Sequence, residues 1–388
     1  MVFNTKHSII YADNAATTWP KPQCVIGAMR NFFFNVGASP GRSGHRMSLN
    51  SAQILFAARE EIADFFGLNN SQNVIFTLNA TYALNIAIKG ILKKGAHVIV
   101  SSFEHNSVIR PLTYLKEREK ISITRIPQDS RRQFALKAFE QSFRANTQLV
   151  IINHASNVTG AIMPVKKIGQ ICKKKKVPLL VDAAQTAGAI PINVKDEAID
   201  LLAFTGHKSL MGPQGTGGLC IAGCQPQTLF HGGTGSYSEQ ESHPDFMPDR
   251  LEAGTPNIIG IAGLRAGIQY LKDTGIDTIV KKERLLAEKL VNGLRACKNV
   301  MVCGTDTLEE RLPILSFNIK GKRADEVGVR LDKEFNIMTR VGLHCAPAAH
   351  KAIGTFPHGT VRISLSFMNT EDSADRIISA VRTIAERA

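Results

Sequence analysis

The chain has 388 residues, of which 44% are hydrophobic and 21% charged, and a formal net charge of +14. That length predicts about two domains, the composition is that of a globular chain rather than a disordered one, and no apolar run is long enough to span a bilayer. The basic excess is dispersed: its densest run, 173–176, closes a predicted helix, where cations complement the dipole, and no aromatic residues interleave with it to stack bases, so neither nucleic acid nor membrane is expected as a partner.

The opening residues lack the apolar core and small-residue cleavage site of a secretory signal, so a cytoplasmic location is expected. Pro20 and Pro22 punctuate the chain after 11–18, and helices are predicted over 25–34 and 48–66, where apolar residues recur at spacings of three and four. An alternation follows: strand 73–77, helix 81–92, strand 97–100, helix 108–117, then strands 121–126, 149–153, 178–182 and 200–204 with helices among them. This is the pattern of an α/β fold with a mostly parallel sheet covered on both faces. After Pro256 the pattern changes to long helices at 258–271 and 276–297, a strand at 312–319, a helix at 324–335, a strand at 360–365 and a closing helix at 370–386. The expected organisation is an N-terminal segment (1–14) packing with a small α+β domain (258–388), and a large domain (15–257) between them. Seven cysteines, an odd number without a C-x-x-C pair, do not form a disulfide framework. Cys220 and Cys224 have no nearby histidine or cysteine pair to complete a zinc site, and Cys220 reads as a core thiol, so no metal is expected.

Six stretches fall in loops after predicted strands, where an open α/β sheet forms its ligand crevice. Lys208 follows strand 200–204 and precedes a glycine-rich turn; alone it reads as a surface lysine, but burial or neighbouring charge would let it form a Schiff base. Asn79, Ala80 and Thr81 open a helix, which is either a plain N-cap or a phosphate cradle. His105 could stack on an aromatic cofactor and move protons, and Asn157 could bond a ring substituent or a carboxylate; both are also ordinary loop residues. Asp182 ends an apolar strand, where an aspartate needs a cationic partner such as a pyridinium nitrogen. Thr205 and His207 could reach a phosphate, the stretch 340–347 sets Cys345 beside His344 as an activated thiol, and Arg362 offers a fork for a substrate carboxylate.

Together with 13–16, Glu104-His105, Ser156-Asn157, Gln185 and 252–257, these residues resemble the cysteine desulfurase and selenocysteine lyase family, in the class V aminotransferase group of fold-type I pyridoxal phosphate (PLP) enzymes. The resemblance implies a seven-stranded, mostly parallel sheet in the large domain, and conversion of L-cysteine (or L-selenocysteine) to L-alanine with sulfur passing to Cys345 as a persulfide. It implies that Lys208 carries the PLP, Asp182 holds the ring nitrogen, Gln185 the ring hydroxyl, and His105 stacks on the ring. Ala80, Thr81, Thr205 and His207 would hold the phosphate, with Thr255 reaching the partner subunit's phosphate in a homodimer. Asn14, Asn157 and Arg362 would position the substrate carboxylate, and a sulfur-acceptor protein would take the persulfide, feeding iron–sulfur cluster or other thio-cofactor synthesis. The short 343–347 stretch is similar to the subgroup whose cysteine loop is ordered. Asn106 and Leu343 stand where the family commonly has histidine, and 237–249 is shorter than the corresponding hairpin.

Overall fold

In the computed structural model, which describes residues 9–41, 44–129, 133–304 and 311–386, strand β1 (Ile10–Tyr11) leads to helices α1 (Gln23–Asn31) and α2 (Arg46–Phe66). The expected alternation then runs β2 (Val74–Thr77), α3 (Ala80–Ile91), β3 (His97–Ser101), α4 (Asn106–Arg118), β4 (Ser122–Ile126), α5 (Leu136–Gln141) and β5 (Thr147–Asn153). It continues through α6 (Val165–Lys175), β6 (Leu179–Asp182), β7 (Leu201–Thr205) and β8 (Gly217–Ile221). These strands form one seven-stranded sheet in the order β2-β8-β7-β6-β5-β3-β4, parallel except where β8 runs against both its neighbours. Strands β3, β6, β7 and β8 are buried along their whole length, as a sheet covered on both faces requires. One face packs Phe66, Ile99 and Phe204 under α2 and α6, and the other packs Ile75, Leu84 and Leu112 under α3 and α4.

The chain then forms α7 (Ile258–Thr274), α8 (Ile276–Arg295), β9 (Val300–Cys303), β10 (Ile314–Ile319), α9 (Ala324–Phe335), β11 (Ile337–Met338) and β12 (Arg340–Gly342). It ends with α10 (Pro347–Ala352), β13 (Thr360–Ser364) and α11 (Glu371–Glu386). A four-stranded antiparallel sheet, β12-β13-β10-β9, packs with α8, α9 and α11 around its own core of Leu290, Phe317, Leu331 and Val381. Residues 1–8 of the N-terminal segment lie outside the described residues; beyond them β1 pairs with β11, and Asp13 bridges to Ser364 at the end of β13.

Many boundaries shift by one to three residues, and three departures stand out. The helix expected over 25–34 stops as an α-helix at Asn31 and finishes as a π-turn over Phe32–Val36, closed by Gly37 at φ +58°. Strand 312–319 begins only at Ile314 because Pro313 carries no N–H for the ladder. The glycine-rich turn after Lys208 gives way at Gly217 to a strand, β8, which the sequence pattern did not reveal.

Candidate active site

Direction reverses in the large sheet at β3, which has β4 on one side and β5 on the other, so the loops after these strands splay and leave a crevice at their C-terminal ends. A cavity of about 260 Å³ opens there, lined by residues that include Thr81, His105, Asn157, Asp182 and Lys208 from the large sheet's loops and Arg362 from β13.

Lys208 sits one turn beyond β7, and Asp182 ends the adjacent strand β6. Burial lowers the Lys208 pKa to about 8; Asp182 and Asp13 pull it back up, while Arg362 and Arg340 push it down. A lysine so placed has a usable fraction of free amine near neutral pH. Burial raises the Asp182 pKa, against the Ala184 N–H bonded to its Oδ1 at 3.0 Å and the charge of Lys208. Beneath them lies a fully buried carboxyl that the motif reading left without a role. Glu104 Oε1 accepts from Ser101 Oγ (2.6 Å) and from the Asn153 N–H (3.0 Å), while its Oε2 is buried without a partner.

Around the other rim, Asn79 caps α3 by accepting from the Tyr82 N–H at 3.2 Å. Gly217 makes room for this cap, because a Cβ there would lie 2.7 Å from the Asn79 Cα. Thr81 Oγ1 lies 2.8 Å from Ser107 Oγ, which lies 2.8 Å from His105 Nδ1. That Nδ1 also accepts from the Ser107 N–H at 3.1 Å, so it carries no proton, and a neutral ring holds its hydrogen on Nε2. Burial and nearby cations keep the ring neutral by lowering its pKa to about 4. Ser107 is a site residue that motif reading missed; its only signal is its place two residues after His105. Thr205 Oγ1 donates to the Thr216 carbonyl at 3.5 Å, and the His207 Nδ1 is buried without a partner.

The second sheet closes the cavity. Arg362 on β13 is 1% exposed and is the register partner of Arg340 on β12, so two guanidinium groups line one wall. Like charges opposed across a ladder repel, and Asp13 offsets them by accepting from Arg362 Nη2 at 2.6 Å. Arg362 Nη1 donates to the Asn157 carbonyl (3.0 Å), and its Nε is buried without a partner. Cys345 follows, itself exposed between buried His344 and Ala346, on a turn in which His344 and Cys345 both take positive φ, +49° and +57°. The turn is pinned from the large sheet's side: Asn157 Nδ2 donates to the His344 carbonyl (2.7 Å) and the Asn106 N–H to the Cys345 carbonyl (2.8 Å). Arg340 Nη2 lies 3.9 Å from Cys345 Sγ.

Not every expected residue meets the cavity. Asn14 turns its amide to the Ser364 and Tyr11 carbonyls and to Asn369, and is absent from the lining. Gln185 lines the cavity but donates from Nε2 to the Ala15 carbonyl at 3.1 Å. Thr255 lies in a separate cleft beside Tyr82 and Phe230. Ala80 is buried at the start of α3 and lines the cavity. Cys220 is buried in β8, and among the described residues no group of three or more histidine, cysteine or acidic side chains is arranged to hold a metal. No helix among the described residues is long and apolar enough to cross a membrane.

The family profile described as aminotransferase class-V matches residues 10–377. The chain belongs to that family. Within the class-V aminotransferases it is 33% identical to a probable cysteine desulfurase of Pyrococcus abyssi, over 97% of this chain and 94% of that one. It is equally identical to a probable cysteine desulfurase of Methanothermobacter thermautotrophicus, again over 97% and 94%. Its fold superposes on the apo structure of a cysteine desulfurase from Thermococcus onnurineus with a TM-score of 0.89 and 31% identity, covering 98% and 95% of the two chains. The family resemblance drawn from the motifs, and the fold class it implies, are borne out.

Proposed function

We propose that this class-V aminotransferase is a PLP-dependent cysteine desulfurase that converts L-cysteine to L-alanine and keeps the sulfur on Cys345. The observation that carries the reading is the convergence of a buried lysine facing an aspartate, Lys208 and Asp182, with a pinned, exposed thiol from the second sheet. The residues fit PLP. His207 Nδ1 is a buried nitrogen lacking a partner, the N-terminus of α3 beside Thr81 and Ser107 can receive a phosphate, and Asp182 suits a ring cation. When bound, PLP supplies an electron sink for the substrate's Cα.

The chain's own groups do the rest. Ala80, Thr81, Thr205 and His207 would hold the phosphate, Gln185 the ring hydroxyl, and His105 the ring face. Lys208, with its pKa near 8, would hold the cofactor through its amine, and that amine would move the proton at the substrate's Cα. Arg362 and Asn157 orient the substrate carboxylate, with Asp13 fixing the guanidinium; Asn14 supports this wall through Ser364 rather than by direct contact. The Cys345 thiolate attacks the substrate sulfur, the C–S electron pair remains with the carbon fragment, and two protons complete alanine. Because Cys345 is exposed, its persulfide is open to a sulfur-acceptor protein. Thr255 would complete the phosphate site of a second subunit in a homodimer.

The test is to incubate the PLP-loaded protein with L-cysteine and map cysteines by mass spectrometry. One added sulfur on Cys345, and alanine in equal amount, is expected; Cys345→Ala should lose the persulfide while keeping the cofactor's absorbance. Undiminished alanine production by Cys345→Ala would overturn the reading.

A further inference from the structure

A half-buried cation, Lys21, reaches the loop that carries Lys208. Lys21 stands between Pro20 and Pro22, whose rings fix the backbone φ on either side, and Pro22 is the N-cap of α1. The lysine is therefore delivered from a stiff strap. Its Nζ donates to the backbone carbonyl of His207 at 2.7 Å. The same oxygen accepts from the Thr18 N–H (3.0 Å) and from Thr17 Oγ1 (3.0 Å). Three donors, one of them cationic, thus converge on an oxygen with two lone pairs. That oxygen belongs to the peptide that joins His207 to Lys208.

Among the described residues no carboxylate pairs with Lys21. Burial lowers its pKa to about 8, so its charge is held partly out of water against the peptide oxygen. It also acts on the neighbouring ring: Lys21 and Lys208 both push the His207 pKa down. The loop it grips needs holding, because it runs between Gly206 and Gly212 and carries Met211 at φ +61°.

We propose that Lys21 is a positioning residue for Lys208: its ammonium clamps the His207–Lys208 peptide and so sets where the reactive amine emerges. The proposal rests on the reading of Lys208 as the lysine that carries PLP. A charge-assisted hydrogen bond to a peptide oxygen is among the stronger single contacts, and small errors in the placement of a reacting group are costly. The strap also reaches the other wall of the site, since Asp13, a few residues earlier, holds Arg362.

The test compares wild type, Lys21→Met and Lys21→Arg. PLP affinity is measured by titrating each apoprotein, and the pH midpoint of the bound cofactor's visible absorbance by spectroscopy. The charged groups that act on Lys208 are Asp182, Asp13, Arg362 and Arg340, all unchanged in these variants. Lys21→Met should bind PLP about tenfold or more weakly. Its midpoint should shift from the wild-type value, because the released Lys208 moves relative to the charges of Asp182, Asp13, Arg362 and Arg340 that set it. Lys21→Arg should stay close to wild type in both. If Lys21→Met fails to fold, Lys21→Gln, whose shorter neutral amide cannot make the charge-assisted bond, should show the same loss of affinity and a shifted midpoint. Unchanged affinity and midpoint in the neutral variant would overturn the proposal. So would a Lys21→Arg protein as impaired as Lys21→Met, since packing rather than charge would then be at work. Failure of the underlying reading looks different: borohydride reduction of PLP-loaded wild type would label a lysine other than Lys208, or none.

Discussion

Burial sets the protonation of single residues here, and the two kinds of buried group pull stability in opposite directions with pH. Glu104 and Glu283 are each held protonated up to about 8 by burial. Unfolded, they ionise near their ordinary value of 4.5, so between 4.5 and 8 the unfolded chain binds fewer protons and stability falls as pH rises. His97, His105, His154, His207 and His350 are pushed down to about 4, and His344 to about 2, chiefly by burial. These rings stay neutral in the fold but take protons in the unfolded chain below 6.5, so stability also falls as pH drops below that value. Below 6.5 the six rings outnumber the two carboxyls; above 6.5 only the carboxyls still titrate within this set. The protein without cofactor should therefore be most stable near pH 6.5, as read by urea unfolding across pH 4–8. Glu104→Gln with Glu283→Gln should flatten the decline from 6.5 to 8 and leave the acid limb unchanged. A wild-type stability that climbs from 6.5 to 8, or a decline that the double variant retains, would contradict this account.

At the scale of elements, the site depends on how closely glycine lets backbone approach. At Gly217 a Cβ would meet the Phe204 carbonyl and the Asn79 Cα, each at 2.7 Å, and neither is a flexible side chain. Gly217→Ala should thus cost about 1–3 kcal/mol of stability and weaken PLP binding by displacing the start of α3. Gly27, in α1, has nothing within 4 Å of its would-be Cβ, so Gly27→Ala should be neutral or stabilise by about 0.5–1 kcal/mol. Denaturant midpoints compare the two, and similar values would refute the packing argument. The same glycines explain what the sequence concealed. The parallel strands were legible because β3, β6 and β7 are short, wholly buried apolar runs between periodic helices. Strand β8 was not, since Gly217 and Gly218 look like the tail of a turn until Phe204 and Ile75 are seen packed against them. Strands β11 and β12 span two and three residues, too few for a period of two to register. In the site, Lys208, Asp182, His105 and Arg362 were legible because each follows or occupies a strand that can be read. Ser107, Arg340 and Lys21 were not, because their roles arise from partners distant in sequence: Thr81, Arg362 and His207.

For the whole molecule, the question is what covers the cleft that holds Thr255. Leu78, Tyr82 and Phe230 line it at 48%, 43% and 49% exposure, and the Tyr82 and Phe230 rings lie 6.3 Å apart. Large apolar side chains gathered at one exposed cleft mark an interaction surface more often than bare surface. A second copy of the chain is the partner that gives Thr255 its proposed task, since this threonine is absent from the lining of its own subunit's cavity. A symmetric dimer presents the same patch twice, so one charged substitution acts on both sides of the interface. Phe230→Asp should therefore convert a dimer to monomers in sedimentation at micromolar concentration. It should weaken PLP binding as a consequence, because each phosphate would lose the hydroxyl proposed to reach it from across the interface. Thr255→Ala separates the two effects: the dimer should persist while PLP binds about 2–10-fold more weakly, the range expected for one neutral hydrogen bond of roughly 0.5–1.5 kcal/mol. A monomeric wild type, or a Phe230→Asp protein that remains dimeric with unchanged PLP affinity, would remove this cleft from the assembly and leave Thr255 without its role.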